Sequence, residues 1–525
     1  MRKLRVGIID VIGKSASQTL NARTMRANLY SIMPQVVAVW CEEEGHDVFM
    51  AYHSGYLNMV EPLPDDLDLV FISSFTLTAQ VAYALSNYYR SKGAVTALGG
   101  PHARSYPEDA QQYFDYVLGF TNKDLVRDVL QDGEQHRPMG IYLNANEQPT
   151  ELPGVRARWK FIDRINQEAY RFFRGVMMIG STGCPYTCSF CVDSVVPYQP
   201  LDFDVLKDDL RFLLTKFKRP LVGWHDPNFG VRFNDYLDAI EEAVPPNSID
   251  FIAESTLSLL SEKNVIRLKK NGFKGLLPGI ESWYDMGNKA KARKTTGMDK
   301  VKQVAEQINM IMRHVPYLQA NFVFGLDCDS GAEPFELTKK FIELAPGAYP
   351  TFNMLTAYGQ SAPLNLEYQK QDRLIPFPFH FLTVNSGMNV QIKNYEWPEF
   401  YSHMIDINGF AFSKKTMYRR FRANKGRITR LINVVRGMSD MSSPNSKGWG
   451  KIRFFHEVRQ RLEEDVAFRK FFEQETTEVP PFFIDIIKRD LGPLWHWLPE
   501  GALYHDPYTY LKTEGLVEPG IIATA

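Results

Sequence analysis

Three cysteines lie close together in the segment Cys184-Pro-Tyr-Thr-Cys188-Ser-Phe-Cys191. The chain has only 5 cysteines in 525 residues, so three at C-x3-C-x2-C spacing indicate a shared role. Thiolates are soft ligands that suit iron–sulfur clusters and zinc. A structural zinc site usually takes four protein ligands, often from paired C-x2-C units, and the local sequence offers no obvious fourth. The spacing therefore favours an iron–sulfur cluster with one open iron over zinc or three buried thiols.

The composition is that of an ordinary globular protein, with 44% hydrophobic and 23% charged residues. Lys and Arg number 60 and Asp and Glu 61, so no global field favours nucleic acid or an anionic membrane. The odd cysteine count does not resemble a secreted disulfide framework, and no apolar run reaches the ~18 residues of a membrane span. We therefore expect a cytoplasmic protein of about two to four domains, with no membrane span and no nucleic-acid partner.

Strand-like and helix-like segments alternate regularly over residues 1–135. Five short β-rich runs, separated by helical stretches, are predicted at residues 4–10, 47–52, 67–73, 94–98 and 116–118. This alternation predicts an α/β domain with a doubly wound, Rossmann-like parallel sheet, which binds ligands beyond the carboxyl ends of its strands. Residues 136–172 lose the rhythm and are predicted to be a linker.

A second alternating series begins at Gly175. Its six predicted strands fall at residues 175–180, 220–225, 250–253, 275–280, 318–325 and 351–356. Six β/α units predict a partial (β/α)6 barrel of the TIM type over residues 173–384, with its chemistry at the carboxyl ends of the strands. The cysteine loop directly follows the first of these strands. Residues 385–525 are predicted to form a mostly helical, aromatic-rich domain of unassigned role.

A short motif ends each predicted strand after the cysteine segment. These motifs are His225-Asp226-Pro227-Asn228-Phe229, Ala253-Glu254-Ser255, Gly279-Ile280-Glu281-Ser282, Gly325-Leu326-Asp327 and the closing segment Gly359-Gln360-Ser361-Ala362-Pro363-Leu364. In this order, and with an aromatic residue before the last cysteine, they resemble the radical S-adenosylmethionine (SAM) superfamily. The resemblance covers about 190 residues of the chain.

The resemblance implies a [4Fe–4S] cluster in which Cys184, Cys188 and Cys191 bind three irons and SAM chelates the fourth. The reduced cluster would cleave SAM to methionine and a 5′-deoxyadenosyl radical, so the cofactors would carry the difficult chemistry. A reductant such as flavodoxin or ferredoxin would be the partner that supplies the electron. The residues that the resemblance places around SAM are Tyr186, Phe190, Asp226, Glu254, Ser255, Glu281 and Asp327.

The N-terminal domain makes the resemblance more specific. Gly99-Gly100-Pro101-His102 follows the fourth predicted strand, and Ser73-Ser74-Phe75-Thr76 ends the third. Both segments are similar to those of cobalamin-binding domains that precede radical SAM barrels, and paired glycines let backbone approach a planar macrocycle closely. The residues that the resemblance assigns to cobalamin are Ser73, Ser74, Thr76, Gly99, Gly100, Pro101, His102 and Gly119.

The chain departs from this subfamily in two ways. It has no Asp-x-His-x-x-Gly motif, so no histidine is indicated as the lower ligand of cobalt. Gly119-Phe120-Thr121-Asn122-Lys123 stands where the subfamily usually has Gly-Glu-Gly-Glu, which leaves the cobalamin contacts near the fifth strand open. His102 is expected to be a turn residue near the corrin and not a cobalt ligand.

The resemblance predicts a cobalamin-dependent radical SAM methyltransferase that acts on an unactivated carbon of a small-molecule or natural-product substrate. A radical SAM oxidative cyclase, or another ring-forming enzyme without methyl transfer, is an alternative because the sequence pattern does not separate these reactions. A non-catalytic protein that binds a metal or cobalamin is a second alternative. The basic run over residues 419–427 is predicted to be a solvated helix face, and the aromatic tail either lines a substrate pocket or packs on the barrel.

Overall fold

The computed structural model describes residues 2–13, 30–53, 63–133, 139–168, 174–284, 295–383, 387–440 and 451–509. Within these ranges, two parallel sheets with intervening helices are followed by a helical C-terminal region. The predicted α/β class with a helical C-terminal region is therefore confirmed.

The N-terminal sheet has six parallel strands within the described residues, in the order β2-β1-β3-β4-β5-β6. This order is that of a doubly wound fold, and it brings the carboxyl ends of β1, β3 and β4 to one edge. The strands are β1 (Arg5–Val11), β2 (Asp47–His53), β3 (Leu69–Ser74), β4 (Val95–Gly99), β5 (Tyr116–Leu118) and β6 (Ile141–Leu143). The helices are α1 (Ile32–Glu43), α2 (Ala79–Ser91), α3 (Pro101–Ser105), α4 (Pro107–Ala110) and α5 (Lys123–Asp132).

The segment predicted to be a linker carries regular structure. Strand β6 pairs in parallel with β5, with Ile141 opposite Tyr116, so the N-terminal sheet extends beyond residue 135. Helix α6 spans Val155–Glu168. Residues 136–138 and 169–172 of the predicted linker lie outside the described residues. A strand of three residues is too short to show an alternation, and its edge position leaves Ile141 and Tyr142 exposed, so the sequence pattern gave no signal for it.

The second sheet has a strand in each of the six predicted places, all parallel and in chain order. Its strands are β7 (Gly175–Met178), β10 (Leu221–Trp224), β11 (Asp250–Thr256), β12 (Phe273–Glu281), β13 (Tyr317–Phe324) and β14 (Tyr349–Met354). Strands β8 (Ser181–Thr182) and β9 (Gln199–Pro200) form a small antiparallel pair after β7. The intervening helices are α7 (Phe203–Lys216), α8 (Phe233–Ala243), α9 (Glu262–Lys270), α10 (Gly297–Met312) and α11 (Glu333–Leu344).

Each strand of the second sheet presents one face to the helices and one to the interior. Along β13, Leu318, Ala320 and Phe322 are buried, whereas Gln319 and Asn321 between them are only partly buried. Side chains alternate across a strand with a period of two, so the polar members of this pattern share one face. The sheet therefore supplies a row of polar positions to the interior.

The C-terminal region is helical and returns to the N-terminal domain. Its helices are α12 (Pro363–Lys370), α13 (Trp397–Ala411), α14 (Lys414–Ala423), α15 (Arg427–Asp440), α16 (Lys451–Glu464), α17 (Val466–Phe472) and α18 (Pro481–Leu491). The side chain of Gln80 donates to the Ala502 carbonyl at 3.0 Å, and that of Asn87 donates to the Trp497 carbonyl at 2.8 Å. The aromatic tail thus packs on α2 of the first domain. No helix in the described part of the chain is long and apolar enough to cross a bilayer.

The buried His505 in this tail makes the stability of the folded chain depend on pH. Its ring stacks on Phe379 with 4.1 Å between centroids, and neither imidazole nitrogen has a hydrogen-bond partner among the described residues. Burial lowers the pKa of His505 from its usual 6.5 to about 3. Between these values the unfolded chain binds more protons than the folded one, so this contribution to stability is lost as pH falls through the window.

We expect His505→Phe to raise stability at pH 5 by roughly 1–2 kcal/mol more than at pH 8, because phenylalanine removes the titrating group. Thermal unfolding at the two pH values measures the difference. An equal change in Tm at both pH values would contradict the expected role of the imidazole.

Candidate active site

The cysteine loop and the carboxyl ends of the strands of the second sheet border a cavity of about 580 Å³, including its open mouth. Cys184, Cys188 and Cys191 all line it. Catalytic groups of parallel barrels lie at this end of the strands. The other lining residues are Tyr186, Pro227, Asn228, Glu254, Ser255, Thr256, Leu277, Gly279, Glu281 and Asn321.

The cysteine loop is held at both ends by backbone contacts. Gly183 has a φ of +67°, and a Cβ at this position would lie 2.3 Å from the Pro197 carbonyl oxygen, so only glycine fits. The Cys191 amide donates to the Cys188 carbonyl at 3.0 Å, and Ser181 pairs with Pro200 at the base of the loop. These contacts force a tight turn after β7, and this turn places the three thiols at the cavity wall.

The amide side chain of Asn228 indicates that the cavity suits a polar ligand. The side chain is 6% exposed, and neither its amide oxygen nor its amide nitrogen has a hydrogen-bond partner among the described residues. An unpaired buried amide costs roughly 1–3 kcal/mol, so such groups normally meet a partner. A ligand that offers both a donor and an acceptor inside the cavity would relieve this cost.

The donor set fits a cluster better than a single ion. Across the described ranges, no three His, Cys, Asp or Glu side chains come together in a group that could hold one metal ion. In an iron–sulfur cluster each thiolate binds a different iron, so the thiols need not converge on one point. Three thiols that line one cavity together with an unpaired amide and two carboxylates therefore fit a cluster and a polar ligand beside it.

Glu281 is held in an unusual backbone conformation at the edge of the cavity. Its φ is +65°, a region that side chains other than glycine seldom occupy, and the register between β12 and β13 shifts between Gly279 and Glu281. Such irregularities redirect side chains and cluster at functional sites. Here the shift accompanies a carboxylate that lines the cavity.

Asp226, which the resemblance places near SAM, does not line the cavity. It is buried, and its carboxylate accepts hydrogen bonds from the Gly180 amide at 3.0 Å and from the Ser181 and Tyr236 hydroxyls, each at 2.7 Å. Burial raises the pKa of Asp226, and these hydrogen bonds oppose the rise. Its position is that of an anchor for the end of β7, just before the cysteine loop.

Asp226→Ala is expected to lower the free energy of unfolding by about 3–5 kcal/mol, because it leaves three buried donors without an acceptor. Asp226→Asn keeps the shape and should cost less. The exposed Asp235, which forms a surface ion pair with Arg232, provides the control, and Asp235→Ala should change stability by less than about 0.5 kcal/mol. Urea unfolding measures all three, and equal effects for Asp226→Ala and Asp235→Ala would rule out the anchor.

Two further predicted SAM contacts lie outside the cavity wall. Asp327 forms a bidentate ion pair with Arg373, with oxygen–nitrogen distances of 2.7 and 2.9 Å, and this pairing lowers its pKa. Phe190 packs against the hydrophobic core. The sequence could not indicate the ion pair, since its partners are 46 residues apart.

The cavity also contains residues that the sequence analysis did not select. Asn228 lies two positions after Asp226 in the same strand-end motif, and it is Asn228 that lines the cavity. Thr256, Leu277 and Asn321 face inward from β11, β12 and β13. The alternation of polar and apolar residues along these strands could have indicated which side chains face inward. Asn321 was not predicted because no recognisable motif surrounds it.

The carboxyl ends of β3 and β4 carry most of the residues assigned to cobalamin. Gly100 has a φ of +92°, and a Cβ there would lie 2.9 Å from the Ser74 carbonyl oxygen. A Cβ at Gly99 would meet no atom within 4 Å, so this side of the strand end is open. Phe75 beside it is 46% exposed. Gly119 is also tightly enclosed, because a Cβ there would lie 2.4 Å from the Asn144 side chain.

His102 is buried beneath the carboxyl ends of β3 and β4 and is not exposed at their surface. It is fully buried, and its Nε2 shares a 2.6 Å hydrogen bond with the Tyr83 hydroxyl. Burial lowers the pKa of His102 to about 3. The structure therefore places His102 in the support of the β4 turn, together with the buried Thr76, and away from an open surface.

No family model matches the chain. Two curated proteins of Chlorobaculum tepidum are similar to it. The chain is 22% identical over 316 residues to bacteriochlorophyllide d C-12(1)-methyltransferase, which covers 57% of this chain and 66% of that protein. It is 23% identical over 376 residues to bacteriochlorophyllide d C-8(2)-methyltransferase, which covers 64% of this chain and 79% of that protein.

Among solved structures, the cobalamin-dependent S-adenosylmethionine radical enzyme OxsB, with aqua-cobalamin and S-adenosylmethionine bound, matches with a TM-score of 0.51. The match covers 94% of this chain and 83% of that chain at 12% sequence identity. At this identity the likeness shows the fold alone, and the fold of this chain is similar to that of OxsB. The resemblance drawn from the motifs is thereby confirmed.

Proposed function

We propose that this protein is a cobalamin-dependent radical SAM methyltransferase that methylates an unactivated carbon. Cys184, Cys188 and Cys191 would hold a [4Fe–4S] cluster, and the second sheet would form the partial (β/α)6 barrel around it. When bound, the cluster supplies the electron that cleaves SAM, and cobalamin supplies a transferable methyl group. The two curated relatives, which are named as C-methyltransferases, support methyl transfer over cyclisation.

One observation carries the proposal most directly. Three cysteines share a cavity wall with the unpaired buried amide of Asn228 and with the carboxylates of Glu254 and Glu281. Thiolates suit iron, whereas amide and carboxylate groups suit a ligand with an amino group, a carboxylate and hydroxyls, which describes SAM. A zinc-binding or sensory protein has no comparable need for these polar groups in the same cavity as the thiols.

The chain itself would supply binding, orientation and exclusion of water. Asn228 can donate to a carboxylate and accept from an amine, while Glu281, held by the shifted register of β12, can accept from a ribose or an amine. Tyr186 and Leu277 provide apolar wall between these polar groups. An enclosed site with few fixed polar groups orients a ligand and keeps reactive species away from water.

We further propose that the open edge at Ser73, Ser74, Gly99 and Gly100 receives the corrin. The open side of Gly99 and the close backbone packing of Gly100 against Ser74 suit a flat macrocycle at the strand ends. His102 would act only by supporting this turn. The small-molecule substrate would enter between this edge and the cysteine cavity, and a flavodoxin or ferredoxin in the cytoplasm would supply electrons.

The first experiment is anaerobic reconstitution with iron, sulfide and hydroxocobalamin, followed by iron and corrin analysis of the same sample. We expect about four irons and one corrin per chain. Incubation with SAM, reductant and candidate substrates should then give 5′-deoxyadenosine and a product heavier by about 14 Da for each methyl group transferred. Four irons without corrin, or a product of unchanged carbon count, would reject methyl transfer and favour a cyclase. Zinc without iron would reject the radical chemistry altogether.

A further inference from the structure

Helices α14 and α15 form a basic helix pair, residues 414–440, that carries strong local charge in a nearly neutral chain. The stretch from residue 407 to 439 contains nine Lys and Arg residues and no Asp or Glu, whereas the whole chain has a net charge of −1. Six of the nine cations are exposed, and no ion pair with a described residue is found for them. They are Lys414, Lys415, Arg419, Arg422, Lys425 and Arg427.

Of the other three cations, Arg420 and Arg436 fasten the pair to the second sheet, and Arg430 makes a contact within the pair. Arg420 is buried and donates to the Ala348 carbonyl at 3.1 Å, so this cation of the basic run does not belong to the predicted solvated face. Arg436 donates to the Gln319 side chain at 2.7 Å, and Arg430 stacks on Phe421 at 4.9 Å. The contacts of Arg420 and Arg436 lie at the amino ends of β13 and β14, opposite the end that carries the cysteine cavity.

The exposed cations surround apolar side chains that face solvent. On α15, Ile428, Leu431 and Met438 are 72%, 60% and 65% exposed, and Tyr418 and Phe421 are exposed on α14. Ile428, Leu431 and Met438 follow helical spacing along one face, opposite the buried Thr429, Asn433 and Gly437. Large aliphatic side chains this exposed, grouped and rimmed by charge mark an interaction surface.

We propose that the basic helix pair docks on an anionic phospholipid surface and makes the protein a peripheral membrane protein. A helix with cations beside protruding aliphatic and aromatic side chains lies in the plane of a bilayer interface, with its apolar groups at the acyl boundary and its cations among the headgroups. Docking through this face would leave the cavity mouth, at the other end of the strands, directed away from the headgroups.

Charge and chemistry favour this occupant over others. A second copy docked face to face would place two sets of unpaired cations together, which is repulsive. A nucleic acid would attract the cations but would offer no apolar environment to Ile428, Leu431 and Met438. The proposal is independent of the reaction at the cysteine cavity, and its test does not need the loaded enzyme.

Flotation of the full chain with lipid vesicles tests the proposal. We expect binding to vesicles of phosphatidylcholine with about one third phosphatidylglycerol, little binding to phosphatidylcholine alone, and release as salt rises from about 0.05 to about 0.5 M. The triple variant R419Q/R422Q/K425Q should bind roughly 100-fold more weakly, and I428N/L431N at least about tenfold more weakly.

Helix α9 offers matched controls on another face. K263Q/K269Q/K270Q removes three exposed cations, and I266N replaces an aliphatic side chain that is 50% exposed. Neither control should change flotation, and circular dichroism should show that all variants keep the fold. Equal binding to neutral and anionic vesicles, equal losses in the α9 controls, or no flotation at all would overturn the proposal. A dimer that I428N/L431N dissociates would also overturn it, since a second copy would then cover this face.

Discussion

Cys188→Ala is expected to yield a folded chain that retains little iron and forms 5′-deoxyadenosine only at the background level of the reagents. Cys188 lies between Cys184 and Cys191 on the cavity wall, and a cluster that has lost one of three protein thiolates is poorly held. The substitution removes one sulfur atom from a buried site, which costs about 1–2 kcal/mol of stability and leaves the sheets intact. Iron analysis and product chromatography under reducing, anaerobic conditions measure both effects.

Cys328→Ala is the matched control for this result. Cys328 is exposed and lies beyond β13, outside the cavity wall. This variant should retain about four irons and unchanged cleavage of SAM. Formation of 5′-deoxyadenosine by Cys188→Ala at the parent rate would reject the assignment of the cluster to this loop. Loss of iron from Cys328→Ala as well would show that the assay reports general damage.

Gly99→Leu is expected to abolish corrin binding while iron content stays at the parent level. A Cβ at Gly99 meets no atom within 4 Å, and the residue is not in the left-handed region, so a side chain can leave the backbone here without strain or a clash at Cβ. The side chain would then project from the end of β4 into the space proposed for the macrocycle. Methyl transfer should fall to background, whereas cleavage of SAM to 5′-deoxyadenosine should continue uncoupled. The absorbance of bound corrin after gel filtration, and iron in the same fraction, give the two readouts.

Gly409→Leu provides the control for steric bulk. Gly409 lies on the exposed side of α13, where a Cβ likewise meets no atom within 4 Å. It should bind one corrin per chain, because leucine in a helix is at least as favourable as glycine. Full corrin binding by Gly99→Leu would move the cofactor away from β4. Loss of both corrin and iron would point to misfolding, which urea unfolding of the variant would reveal.

The two variants address separate parts of the proposal. Cys188→Ala removes the iron chemistry and should leave corrin binding intact, whereas Gly99→Leu does the reverse. A variant that urea unfolding showed to be folded, but that had lost both cofactors, would indicate one coupled site instead of two. The pair therefore also measures whether the N-terminal domain and the second sheet bind their cofactors independently.

Much of the fold could be predicted from the sequence because parallel sheets have a strong sequence signature. Strands with one or both faces buried give short segments rich in apolar residues, and six such segments predicted the six strands of the second sheet in the described part of the chain. The short strand Ile141–Leu143 escaped because three residues on a sheet edge carry neither a run nor a period.

The residues of the candidate site could be predicted from the sequence only in part. The cysteines are contiguous in sequence, so their spacing alone indicated a metal centre. Asp226 and Asn228 show the limit, because both stand in one strand-end motif, yet Asn228 lines the cavity whereas Asp226 is hydrogen-bonded to the backbone that follows β7. The partner of a carboxylate decides its role, and Ser181 and Tyr236 reach Asp226 only through the tertiary arrangement of β7 and α8.

By itself, the sequence determined the α/β architecture, the thiolate loop and the glycine-rich turn at the end of β4, since each depends on local spacing and backbone freedom. Only the tertiary structure decided which polar side chains reach the cavity, that Asp327 is paired with Arg373, and that His102 is buried. It also separated the basic run into Arg420, which holds the sheet, and cations that face solvent. The reason is physical: burial and pairing arise between residues distant in the chain, and local pattern does not record them.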